Sequence, residues 1–173
     1  MKRQQYDHFD REELKILIAD DYPMERLGIK TVLEEQLQVN IVGEIDFSLE
    51  IMEFIQRQNC DLVLLDVNAA DTYRLEVIQD IKKNHPETAI LAMGSSNEEN
   101  TALPLLRAGA SGYFVKTSSN EELLRAINAI THGKLYISPD MEEQFTYPDD
   151  PEVKKLPHEH LSHRERQVMS LMS

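Results

Sequence analysis

The amino-acid sequence predicts an α/β fold in which a parallel sheet is covered by helices on both faces. Short apolar segments, typical of strands buried on both faces, alternate with longer amphipathic segments, typical of helices, from residue 14 to about residue 133. Repeated strand–helix units of this kind place consecutive strands parallel to each other. Acidic residues close two of the apolar segments, at the end of the strands where open α/β sheets bind ligands.

Five strands and five helices are predicted in alternation. The strands are expected near residues 14–19, 39–44, 62–66, 89–93 and 112–115, and the helices near residues 23–36, 48–58, 72–84, 100–108 and 119–132. Pro23 suits a first helical turn because its φ is fixed and it has no N–H. Glu121 and Glu122 suit the start of the fifth helix, where the macrodipole favours negative charge, and Gly133 suits its end. Acids on the first and third strands fit the doubly wound, flavodoxin-like strand order 2-1-3-4-5.

Composition excludes several classes of protein. A chain of 173 residues fits one full domain and a small appendage. No apolar run is long enough for a membrane span and the first residues lack a signal-peptide stretch, so a cytoplasmic protein is expected. The single cysteine, Cys60, excludes an internal disulfide framework and is predicted to be a small packing residue. The net charge of −13 argues against nucleic-acid binding by these residues, because a polyanion would be repelled.

The α/β pattern is flanked by segments of a different character. Residues 1–13 are polar and are predicted to form an N-terminal tail. Residues 134–160 are rich in proline and acids, which predicts a linker, with a short helix near residues 140–145. In residues 161–173, Ser162 and Glu165 match a capping box ahead of one apolar helical face. A terminal helix is therefore expected after the linker.

Carboxylates and one lysine stand at the ends of three predicted strands. Asp20 and Asp21 follow the first strand, Asp66 ends the third, and Lys116 follows the fifth. Taken singly, each has an ordinary explanation as a helix cap, a turn residue or a surface lysine. Together they would share one edge of the sheet, where three carboxylates need a hard cation such as Mg²⁺. One carboxylate could then attack a phosphoryl group, so the pattern predicts a phosphoryl-handling site.

These residues resemble, in order and spacing, those of two-component response regulators of the NarL/FixJ type. The receiver pattern covers roughly residues 14 to 133 and is carried by the pair at 20–21, by Asp66, by Gly-Ala-Ser-Gly-Tyr at 109–113 and by Lys116. Residues 161–168 are similar to the opening of a LuxR-type helix-turn-helix domain, which would be truncated at Ser173. The resemblance implies a CheY-like receiver fold that controls transcription through a DNA-binding output domain, and not an enzyme.

The resemblance also implies a role for each matching residue. Asp66 corresponds to the phosphoacceptor, which a sensor histidine kinase would phosphorylate, and Lys116 would contact the phosphoryl oxygens. Mg²⁺ would be held by Asp20, Asp21, Asp66 and the backbone carbonyl of Asn68. A homodimer is compatible with the resemblance. Contact with DNA is expected only through an output domain that residues 161–173 do not complete.

The chain departs from the family pattern at the positions that report phosphorylation. That switch uses a hydroxyl after the fourth strand and an aromatic side chain on the fifth. Tyr113 takes the aromatic position, but Gly94 stands where serine or threonine is usual, and Ser95 or Ser96 could substitute only if the loop shifts. Gly94→Thr is therefore predicted to strengthen the coupling to Tyr113. Pro104 falls inside the fourth predicted helix, where it removes a backbone donor.

Two alternative functions follow from these and other departures. Ala69-Ala70 replace the usual Met-Pro, and Arg74 places a cation near the mouth of the site. With Gly94 and Pro104, they favour an atypical receiver that acts as a phosphorylation-independent dimerisation or protein-interaction module. An aspartate-nucleophile phosphohydrolase is disfavoured, because Asn68 stands where that chemistry needs a second acid.

Overall fold

The structure, a computed structural model, describes residues 13–46, 50–67, 72–95 and 99–142. The predictions for residues 1–12, for Asn68, for Ala69-Ala70 and for the terminal helix fall outside the described residues. Within them, the strands are β1 (Leu14–Ala19), β2 (Val39–Ile45), β3 (Leu62–Asp66), β4 (Ala89–Gly94), β5 (Gly112–Val115) and β6 (Tyr136–Ile137), and the helices are α1 (Pro23–Gln36), α2 (Glu50–Gln58), α3 (Thr72–Asn84), α4 (Glu99–Ala108), α5 (Asn120–Thr131) and α6 (Pro139–Glu142). None of these helices is long and apolar enough to cross a bilayer.

The six strands form one parallel sheet in the order β2-β1-β3-β4-β5-β6. The predicted α/β fold and the order 2-1-3-4-5 are therefore confirmed. The five predicted strands begin and end within one residue of their predicted positions. The predicted helix bounds are as close, apart from the predicted start of the second helix at residue 48, which falls outside the described residues.

Side chains alternate between two cores, one on each face of the sheet. On β3, Leu62 and Leu64 face the core that is completed by α1 and α5, whereas Val63 and Leu65 face the core that is completed by α2, α3 and α4. Both faces are buried, which explains why the strands read as continuous apolar runs. The same alternation determines which way a side chain points when it follows the last apolar residue of a strand.

The predicted ends of α5 are confirmed. The Ser119 side chain accepts a hydrogen bond from the backbone N–H of Glu122 at 3.2 Å, which caps the first turn. After the C-cap residue His132, Gly133 has a φ of +75°, a conformation that glycine adopts without strain.

Cys60 packs in the core next to β3, as predicted. Burial raises the pKa of its thiol to about 11, so the side chain stays neutral at physiological pH. The neutral, buried thiol is a packing group and not a nucleophile.

The structure differs from the predicted linker over its first residues. Tyr136 and Ile137 form β6 beside β5, and Met141 of α6 is fully buried. The backbone N–H of Val115 donates to the Ser138 hydroxyl at 2.9 Å, which ties this segment to the sheet. The prediction of a linker from residue 134 is therefore wrong as far as residue 142. A strand of two residues is too short to leave a recognisable pattern in a proline-rich and acidic segment.

Pro104 lies inside α4, as predicted, and the helix continues through it to Ala108. Proline has no N–H to donate to the preceding turn, and such a position costs about 3 kcal/mol in a helix interior. The neighbouring residues Leu105 and Leu106 are buried against the sheet, and this burial offsets the lost hydrogen bond.

Candidate functional site

Three carboxylates meet at the carboxyl edge of the sheet. Asp20 follows β1 and Asp66 ends β3, and both are fully buried, whereas Glu25 reaches in from the first turn of α1. One oxygen from each carboxylate lies within 4.8 Å of the other two. Asp20 comes two residues after Ile18, and Asp66 two residues after Leu64. Since Ile18 and Leu64 face α1 and α5, both acids are on that side of the sheet. This alternation explains why an acid on α1 joins them.

Lys116 lies among the three carboxylates. Its Nζ donates to Oδ2 of Asp20 at 2.8 Å, to Oε2 of Glu25 and to Oδ1 of Asp66. Its backbone N–H donates to the Gly94 carbonyl at 2.8 Å, which holds the end of β5 beside β4. Burial lowers the pKa of Lys116, but the hydrogen bonds to the three acids outweigh it and raise that pKa above its ordinary value. The lysine is therefore charged, and the three carboxylates with this lysine have a formal charge of −2.

The Asp66 carboxylate is held in an environment that disfavours its charge. Burial raises its pKa above the ordinary value, and Asp20 adds to that rise, whereas Lys116 and Arg74 oppose it. Because burial outweighs the two cations, the ionised carboxylate gains from any further positive charge at the site.

Asp21 lies outside the carboxylate group, although the sequence predicts it as a metal ligand. Its side chain is 43% exposed, and its Oδ2 lies 3.5 Å from a guanidinium nitrogen of Arg74. Asp21 follows Asp20 directly, so the alternation turns it away from α1. Arg74, predicted near the mouth of the site, also donates from Nε to the Asp66 carbonyl at 3.1 Å. Glu25, which was not predicted, completes the carboxylate group, and an acid in the first turn of α1 was the signal for it. Asp21 stays a predicted ligand.

The carboxylate set fits a hard divalent cation such as Mg²⁺. All three donors are carboxylate oxygens, the ligand type that Mg²⁺ prefers. The three oxygens all lie within 4.8 Å of one another, and opposite ligands on one Mg²⁺ ion are roughly 4 Å apart, so a small movement would let them share one ion. The formal charge of −2 on the three carboxylates with Lys116 would attract such a cation. The predicted ligand Asn68 falls outside the described residues.

Tyr113 and Gly94 meet at the end of β4. Tyr113 is fully buried, and its partner in the β4 register is Ala92, so Gly94 is the next residue on the same face. A Cβ built on Gly94 would overlap the Tyr113 hydroxyl and lie 2.9 Å from Cζ of that ring and 3.0 Å from the Val67 carbonyl oxygen. The tyrosine therefore occupies the space that a side chain at position 94 would need. Ser95, the predicted substitute, is exposed just after β4.

The predicted effect of Gly94→Thr on the coupling to Tyr113 stays a prediction, and in this arrangement the new side chain would require the Tyr113 ring to move. We expect Gly94→Ala to lower the free energy of unfolding by about 1–3 kcal/mol through overpacking, measured by urea denaturation. Gly28→Ala is the matched control. Apart from its chain neighbours and the backbone of α1 itself, none of the described residues has an atom within 4 Å of the added Cβ, so we expect about 0.5–1 kcal/mol of added stability. Equal stability of the two variants would contradict the overlap at Gly94.

Comparison with known proteins gives a consistent result. Residues 16–128 match the family described as the response regulator receiver domain. The response regulator GacA of Pseudomonas syringae pv. syringae is 31% identical over 156 residues, which cover 90% of this chain and 73% of the relative. The response regulator UvrY of Escherichia coli is 27% identical over 161 residues, which cover 92% of this chain and 74% of UvrY.

Solved structures agree with the fold. A two-component response regulator of the LuxR family from an Aurantimonas species has a TM-score of 0.70 at 28% identity, covering 76% of this chain and 94% of that one. The signal receiver domain of NarL from Mycobacterium tuberculosis has a TM-score of 0.65 at 26% identity, covering 71% and 99% of the two chains.

Proposed function

Because the chain belongs to the response regulator receiver family, we propose that Asp66 accepts a phosphoryl group from a phosphohistidine of a sensor histidine kinase. The observation that carries the proposal is the contact of the Lys116 ammonium with the buried Asp66 carboxylate inside a group of three acids. A receiver of this family is a switch and not a classical enzyme. The atypical, phosphorylation-independent module is the weaker proposal, since the charged groups that phosphoryl transfer needs are brought together.

The proposed transfer needs positioning and charge neutralisation more than covalent help. An Asp66 oxygen attacks the phosphorus, the bond from phosphorus to the donor nitrogen breaks, and the donor imidazole leaves with the electron pair. The Lys116 ammonium is close enough to Asp66 to stabilise negative charge first on the carboxylate and then on the phosphoryl oxygens. Mg²⁺, held by Asp20, Glu25 and Asp66, would supply the Lewis acid that neutralises the remaining charge.

We also propose an output function for the segment after the receiver. The chain spans about three quarters of the length of GacA and UvrY, both described as response regulators. Residues 143–160 are proposed as a linker and residues 161–173 as the first helix of a LuxR-type DNA-binding domain, through which phosphorylation would control transcription. A homodimer is proposed as the form that contacts DNA, since the structurally similar RcsB is described as dimers bound to DNA.

Labelling with acetyl phosphate tests the phosphoacceptor proposal. With Mg²⁺ present, we expect one acyl phosphate per chain, which borohydride reduction and peptide mass spectrometry locate at Asp66. A chelator should remove the labelling, because the charge at the site is then uncompensated. Absence of labelling, together with no spectral response to beryllofluoride and Mg²⁺, would favour the phosphorylation-independent module.

A further inference from the structure

We propose that the Tyr113 hydroxyl takes the place of the missing hydroxyl at the end of β4 and donates a hydrogen bond to the phosphoryl group on Asp66. The inference rests on the proposed function of Asp66 as phosphoacceptor. It assigns a ligand role to a tyrosine that would otherwise be an aromatic core residue, and it gives a reason for glycine at position 94.

The strand register places the hydroxyl at the correct edge of the sheet. Asp66 is paired with Met93, so Gly94 lies one residue beyond the phosphoacceptor on the neighbouring strand. The Tyr113 side chain extends from β5 across β4 until its hydroxyl fills the space beside the Gly94 Cα and near the Val67 carbonyl. The hydrogen-bond donor that a serine or threonine at position 94 would supply from β4 is thus supplied from β5. Tyr113 lies two residues before the last residue of β5, whereas Gly94 is the last residue of β4.

The chemistry of this hydroxyl suits the role. Burial raises the pKa of Tyr113 to about 12, and the negative charge of Asp66 adds to the rise, so the phenol is protonated at neutral pH. A protonated phenol donates one hydrogen bond without adding charge, whereas the phosphoryl oxygens are charged acceptors. Lys116 approaches the same carboxylate, so an ammonium and a neutral hydroxyl are both available to the phosphoryl oxygens.

Gly94 is required because the two groups compete for one volume. A side chain at position 94 and a tyrosine hydroxyl at this place exclude each other. On this proposal a buried hydroxyl donor is retained beside Gly94, and it is supplied by β5 instead of β4. On this basis glycine at position 94 makes room for the Tyr113 hydroxyl, and the site does not lose its hydroxyl donor.

Binding of beryllofluoride to the full chain with Mg²⁺ tests the inference, with Tyr113→Phe as the main variant. Removing only the hydroxyl is expected to weaken beryllofluoride affinity on the order of tenfold, as for a hydrogen bond to a charged acceptor. One ¹⁹F resonance of the bound beryllofluoride should also shift, because a fluorine atom loses its donor. Tyr136→Phe is the control: its hydroxyl donates to Glu122 at 2.7 Å, and we expect wild-type affinity.

A second variant separates a ligand role from a packing role. Gly94→Ser combined with Tyr113→Phe returns a hydroxyl to β4 and should recover most of the lost affinity, after the ring has shifted by a few tenths of an ångström. Wild-type affinity and unchanged ¹⁹F resonances in Tyr113→Phe would overturn the inference and leave the phosphoacceptor proposal standing. Failure of the wild-type chain both to bind beryllofluoride and to be labelled would overturn both.

Discussion

Asp66→Asn is expected to abolish labelling by acetyl phosphate while the chain remains folded. The amide has nearly the same shape as the carboxylate but lacks the nucleophilic oxygen that the proposed transfer requires. Asp61→Asn is the matched control, since Asp61 lies just before β3, at the other end of the strand from Asp66, and its carboxylate accepts a hydrogen bond from the Lys15 backbone N–H. We expect that variant to be labelled like the wild type. Labelling of Asp66→Asn at wild-type stoichiometry would refute the assignment of the phosphoacceptor.

The same substitution should increase stability at neutral pH. The folded-state pKa of Asp66 is raised, so the folded chain holds this proton more tightly than the unfolded chain does. The stabilising contribution of the protonated group is complete below the unfolded pKa and is lost as the pH rises through the folded pKa. Asp66→Asn should therefore exceed the wild type in stability at pH 7, and the difference should vanish in acid. Urea denaturation at a series of pH values measures both.

Lys116→Met is expected to lower the free energy of unfolding by about 3–5 kcal/mol at neutral pH, because it leaves buried carboxylates without their cation. Methionine keeps most of the side-chain volume, so the loss reports charge more than packing. Lys30→Met is the control. It removes the surface ion pair with Glu44, in which solvent screens the charges, so we expect a much smaller loss of stability.

Two conditions should restore stability to Lys116→Met. Millimolar Mg²⁺ should stabilise this variant more than the wild type, since the acids then lack the ammonium that competes for their oxygens. Lowering the pH should also help, because protonation of Asp66 removes a buried negative charge. A variant as stable as the wild type, with no added response to Mg²⁺, would show that Lys116 does not neutralise the cluster.

The sequence was sufficient to predict the fold because each element carries its own pattern. The strands are short apolar runs closed by polar residues, and β3 illustrates this with four apolar residues ahead of Asp66. The sequence was also sufficient to bring Asp20, Asp66 and Lys116 together, because the ends of neighbouring parallel strands share one edge. These predictions need only the element types and their order.

What the tertiary structure alone decided depends on side-chain direction and on contacts between distant segments. Asp20 and Asp21 are adjacent in the chain, yet the alternation at the strand end places one among the acids and leaves the other beside Arg74, while docking of α1 brings in Glu25. Neither β6 nor the position of the Tyr113 hydroxyl, in the space that a side chain at position 94 would need, has a local signature. Local patterns determine which residues reach the edge of the sheet, whereas packing at the scale of a single atom decides which of them meet there.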